Sequence, residues 1–272
     1  MIEFLQNNIF LIMALLGAIL ASFASGIVGS YVVVKRIVFI AGSISHSVLG
    51  GMGLFLYLGT RLNQAWLTPL LGAFVFAIIS AYLIGWIHIR HRQREDTVIA
   101  ALWALGMSIG VIFISLTPGY NSELLHFLFG NLLWTSGTDL IMLGILDLII
   151  IAFAIVFHRK FLMVCFDENQ AYLQGINPHK VYFLLLSLIA ITVVALVHVI
   201  GAILIIAMLC LPAASANLFT SRLSTTIFAA TSFALIFSVL GTALSYLFNW
   251  PPGATIALTA TVSYLGFVLI KR

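Results

Sequence analysis

His46 is the residue in this chain best placed to do chemistry. It lies in the stretch AGSISHSVLGGMG, flanked by Ser43, Ser45 and Ser47 and followed by Gly50, Gly51 and Gly53. A neutral imidazole is a good ligand for zinc and other transition metals. The glycines would let a neighbouring backbone come close, or let the helix bend. An ionisable side chain inside an apolar run is costly, and by default it marks an ion or substrate path. The plainer alternative is a buried histidine hydrogen-bonded to a neighbouring helix. Ser43 is grouped with His46 as a pathway residue. Asp147 also sits well inside an apolar run, where it either lines the path or pairs with a hydroxyl across a helix interface. His198, beside Gly201, falls at the end of another run. Glu123 and His126 are three residues apart and share a face if helical. Each of these three either helps receive a metal ion or is an ordinary interfacial polar residue. Asp139 is expected to cap a helix start. His88, His91, His158 and His179 stand among basic residues and are expected to be solvated.

Other chemistries lack their signatures. The chain contains no GxxxxGK[ST] phosphate loop and no HExxH pair. ATP hydrolysis by a P-loop is therefore excluded, and zinc-protease activity is disfavoured. Cys165 and Cys210 form no CxxC spacing and read as small apolar residues. No arginine-rich helix suggests a voltage sensor.

The elements that hold these residues are membrane helices. Hydrophobic residues make up 62% of the 272 and charged ones 7%, against roughly 25% charged in a soluble domain. Apolar runs of about 20 residues, each able to cross a bilayer core, recur along the whole length. They are apolar on every face, which selects helices over the alternating strands of a barrel. The expectation is a single all-α integral membrane domain over residues 1–272, a polytopic bundle of about nine helices near 9–29, 37–58, 66–88, 97–116, 138–157, 181–198, 200–219, 224–248 and 252–270. The count falls to eight if 181–219 is one long bent helix. With nine spans, one side receives 11 of the 12 Lys and Arg residues and only Arg61 lies opposite. Positive-inside sorting then puts the N-terminus outside and the C-terminus in the cytoplasm. The net charge of +4 is explained by these loops, without nucleic acid. Gly17, Ala21, Ser25 and Gly29, and also Gly106 and Gly110, repeat at four-residue spacing, as closely packed membrane helices do. The segment 119–135 is too short to span and reads as an interfacial or re-entrant helix on the outer side. The polar stretch 158–180 contains FDENQAYLQG, a short amphipathic helix ended by Gly175. Phe166, Ala171 and Leu173 offer apolar contacts there among charged neighbours, a pattern suited to docking a soluble partner.

Four stretches, in order, resemble the membrane permeases of bacterial ABC importers for zinc, manganese and iron, the ABC-3 family. They are GSYVVVKRIVFIAGSISHSVLGGMG, EDTVIAALWALGMSIGVIFISL with LLHFLFGNLL, CFDENQAYLQGINPHK, and VIGAILIIAMLCLPAASANLF. The resemblance implies a type II ABC importer-like permease without its own ATPase site, in the plasma (inner) membrane of a bacterium. It implies a homodimer that works by alternating access, with separate cytoplasmic ABC ATPase subunits and an extracytoplasmic metal-binding protein as partners. No cofactor is bound permanently, and the divalent metal ion is cargo. His46 carries over as a pathway residue, and Phe166, Asp167, Glu168, Ala171 and Gly175 as the ATPase-coupling segment. Many relatives carry an Asp four residues before the histidine; here that position is Gly42. An imidazole without that carboxylate leans towards zinc over manganese, which prefers oxygen ligands. The rival readings are a secondary carrier or channel without an ATPase, and an intramembrane enzyme using His46 with Asp147.

Overall fold

The computed structural model describes residues 9–91, 95–117, 130, 132 and 135–271. Arg92, Arg94, Glu123, His126, Arg272 and most of the expected outer segment 119–135 lie outside the described residues. The described elements are all helices: α1 (Ile9–Lys35), α2 (Val38–Leu62), α3 (Pro69–His91), α4 (Glu95–Ser115), α5 (Gly137–Phe166), α6 (Glu168–Leu173), α7 (Pro178–Phe219), α8 (Leu223–Phe248) and α9 (Pro252–Ile270). With the backbone satisfied inside each helix, side chains rather than ladders hold the bundle together.

Eight stretches are long and apolar enough to cross a membrane, and Leu204–Phe219 is a shorter apolar helix. That shorter piece is the second leg of α7. At Gly201 the backbone leaves the helix, with φ 78° and ψ 161°. Contacts along α1 show what happens there. Tyr182 lies beneath the Lys35 ammonium, Val199 abuts Gly17, and Leu209 abuts Gly29. The chain thus climbs α1 from its C-terminal end to Gly17 and then descends again, so α7 is two antiparallel legs. Gly130, itself at φ +75°, packs against Ile200 and Gly201 at the apex. The expected segments 181–198 and 200–219 fall on these two legs, the first within one of the eight spanning stretches and the second on the shorter apolar helix.

α1 and α7 form the centre. The first leg of α7 is 72% buried in its apolar stretch, against 22% in α4, α5 and α9, which therefore form the periphery. α2, α3 and α4 pack together on one flank, while α5 and α8 pack on α1 and α9 packs on α7 and α8. Lys35 reaches the Val164 carbonyl at 2.8 Å and pairs with Glu168, His88 faces Tyr182, and Phe219 meets Phe267. These contacts gather the C-terminal ends of α1, α3, α5 and α9 with α6 at one end, the basic end. Arg61, at the end of α2, lies at the other.

Candidate functional site

α2 and α4 run side by side because both faces are nearly bare backbone. Gly50 lies against the Gly106 backbone, Gly53 against Gly110, and Gly106 against Ser47. This approach sets His46 face to face with Trp103 of α4, ring centroids 4.2 Å apart and planes 17° from parallel. One face of the imidazole is thereby covered, and its Nδ1 is buried with no hydrogen-bond partner among the described residues. The residue as a whole is only half-buried. His46 does not fit the plainer alternative at this atom: the nitrogen that would be tied to a neighbouring helix is free.

Ser43 donates to the Ile99 carbonyl at 3.1 Å, tying α2 to α4 one turn below His46. Ser45 donates to its own helix at Gly42, also at 3.1 Å. Both hydroxyl protons therefore serve structure. At Gly42 a Cβ would meet Trp103 at 3.4 Å and Ile206 at 3.6 Å. Trp103 thus borders the space a carboxylate at position 42 would enter. Nothing in the composition of α4 singled out Trp103; its signal is an aromatic residue on the same face as Gly106, about one turn earlier.

The other sequence candidates are scattered. Asp147 is 4% exposed on α5, with both carboxylate oxygens unpartnered among the described residues. Its helix packs against α1 and α7, away from the α2–α4 flank. His198 stands near the apex of α7, where its Nε2 lies 3.1 Å from the Asp139 Oδ1. Ser136, rather than Asp139, is the N-cap of α5; Asp139 completes the capping box by accepting from the Ser136 N–H at 2.9 Å. No cluster of three His, Cys, Asp or Glu side chains able to hold a metal occurs among the described residues. His158 is not the solvated loop residue expected. α5 runs on to Phe166, and the Tyr31 hydroxyl lies 2.8 Å from the His158 Nδ1.

The ABC 3 transport family matches residues 7–271. The chain belongs to that family. A Chlamydia trachomatis protein named "Probable metal transport system membrane protein" is 46% identical over 95% of this chain and 88% of its own. The manganese transport system membrane protein MntC of Listeria monocytogenes is 31% identical over 97% and 91%. In the solved structure of PsaBC from Streptococcus pneumoniae in complex with Fab, one chain aligns with TM-score 0.85 and 32% identity, covering 98% of this chain and 93% of that one.

In this ABC 3 chain the segment expected to couple to an ATPase is a short capped helix that forms a platform. Asp167 caps α6 by accepting from the N–H groups of Asn169 and Gln170, and Gly175 turns the chain at φ +77°. Ala171 is fully buried against the bundle, whereas Phe166, Tyr172 and Leu173 are exposed. Lys35 holds α6 to α1 through Glu168. Phe166, Tyr172 and Leu173 thus form an exposed apolar patch at the basic end.

Proposed function

We propose that this chain is the permease subunit of a binding-protein-dependent ABC importer for a divalent transition-metal ion, embedded in a bacterial plasma membrane with its basic end in the cytoplasm. The observation that carries the reading is His46: an unpartnered buried nitrogen, one ring face covered by Trp103, in a residue only half-buried in the single chain. A metal ion held there needs a second protein surface to close around it, and a second copy placing its own α2–α4 flank opposite supplies the same donors. Alternating access then amounts to rigid-body movement of the two flanks, with no covalent step.

The α6 platform supports a separate ATPase over a carrier that works alone, since a carrier has no use for a fixed apolar knob outside the membrane. The apex of α7, with the His198–Asp139 pair, faces the binding protein in this orientation. For the metal, two observations pull apart. The lack of a carboxylate beside His46 favours zinc, while a relative aligned over nearly the whole chain is named for manganese. The second spans the chain and the first a single residue, so manganese is the cargo we propose, with zinc and iron as competitors.

Metal accumulation in cells stripped of their own manganese, zinc and iron importers tests this. The permease is expressed with its neighbouring ATPase and binding protein, alone or with His46→Ala. ATP-dependent uptake of manganese, lost in the variant, is expected. Assembly of all subunits without uptake of any of the three metals would overturn the assignment.

A further inference from the structure

A groove of about 330 Å³ opens on the far side of the bundle from His46, between α1, α5 and α8. Its walls are Ile27, Ile151, Ala154, Ile155 and Ile227, and Ile155 is 72% exposed at its edge. Its polar residues are Tyr31 and His158, hydrogen-bonded across the floor at 2.8 Å, and Ser224. All three lie towards the basic end: Tyr31 is one turn before Lys35, His158 precedes Arg159 and Lys160, and Ser224 follows Arg222 by two residues. The groove is therefore apolar along its length and polar at the end nearest the membrane surface.

Arg159 and Arg222 are exposed, and neither guanidinium has an ion-pair partner among the described residues. The acidic side chain described near this end of α5, Glu168, is already engaged by Lys35. Two arginines without an ion-pair partner among the described residues thus stand within two residues of His158 and Ser224, the polar lining of an apolar slot. A second copy of the chain does not suit this surface, because it would bring the same positive charges together.

We propose that this groove is a binding site for an anionic phospholipid of the inner leaflet, with an acyl chain along Ile27, Ile151, Ile155 and Ile227. The phosphate and headgroup sit at Ser224, Arg159 and Arg222. Basic pockets between membrane helices on the cytoplasmic side suit such headgroups. The lipid bridges α5 and α8, which otherwise meet through α1. The inference rests on the reading above that the basic end is cytoplasmic.

Native mass spectrometry of the full chain in detergent tests it, titrating phosphatidylglycerol against phosphatidylcholine of the same acyl composition. One retained phosphatidylglycerol per protomer is expected, with phosphatidylcholine lost on activation. Arg159→Gln and Arg222→Gln, both at exposed positions, should each weaken retention by about fivefold. Ala154→Phe, which fills the slot, should abolish it. Equal retention of both lipids, or phosphatidylglycerol retention untouched by either arginine variant, would overturn the proposal even if Ala154→Phe fails to fold. So would a change from dimer to monomer in the arginine variants, which would mark the face as a protein interface. The orientation is checked separately by labelling Ser224→Cys in intact cells. Reaction with an impermeant reagent from outside would refute an inner-leaflet site, whatever the mass spectra show.

Discussion

Replacing Gly106 by alanine adds one methyl group at the tightest part of the α2–α4 contact. That carbon would stand 2.5 Å from the Ser47 Cα and 2.9 Å from the His46 carbonyl oxygen, where ordinary contact begins at 3.4 Å. Both obstacles are backbone, so no rotamer change relieves them. The helices must part by about 0.9 Å at the level of His46. Overpacking of this kind costs about 1–3 kcal/mol. Gly144→Ala on α5 provides the matched control, since its Cβ meets nothing within 4 Å. It should gain about 0.8–1 kcal/mol of helix propensity. That gain is common to both variants, since Gly106 is also inside a helix, so they should differ by about 1–3 kcal/mol, roughly 2–12 °C in melting temperature. Thermal unfolding of the detergent-purified proteins measures this difference. Metal uptake should fall in Gly106→Ala alone, because the parting helices carry His46 and Trp103. If the two variants melt together and transport alike, the close approach of α2 and α4 does not position the site.

Gly201→Ala should cost about 1–3 kcal/mol and lower the melting temperature, because its φ and ψ fall in a region essentially reserved for glycine. Asp147→Leu should raise the melting temperature, since an unsatisfied buried polar group costs about 1–3 kcal/mol; a fall would reveal a partner for the carboxylate. Lys35→Met releases α6 from α1, so in the assembled transporter ATP hydrolysis should continue while uptake drops, as parallel phosphate-release and metal-accumulation assays would show. Phe166→Asp places a charge on the exposed face of the platform and should prevent co-purification with the ATPase while leaving permease melting unchanged.

Much of the fold was legible because hydrocarbon leaves so few solutions. Runs of about 20 apolar residues must be helices, and the basic residues sort the loops between them. The division near residue 200 was visible in the charge pattern, although its cause, a single glycine outside the helical region, was not. Helix ends were read less well. α5 continues nine residues past the expected 157, because Phe161, Val164 and Cys165 continue its buried face where basic neighbours suggested a loop. The same neighbours hid His158, whose partner Tyr31 lies 127 residues away in sequence. Within the site, His46 stood out as an ionisable group in an apolar run. Trp103 did not, since an aromatic residue in a membrane helix looks like any other packing residue until the helix opposite is known. Nor could spacing tell that Asp147 and His46 belong to different flanks.

The second leg of α7 has a consequence for the barrier an ion meets. It starts at the glycine where the first leg ends, so the carbonyl groups left free at one helix end and the N–H groups left free at the next helix start lie together at the apex. Open backbone of this kind is stable in a membrane only where protein or water meets it. The His198–Asp139 pair near the apex is part-exposed, which suits a wetted entrance. An arriving cation then finds oxygen atoms able to replace part of its water shell before any helix has moved.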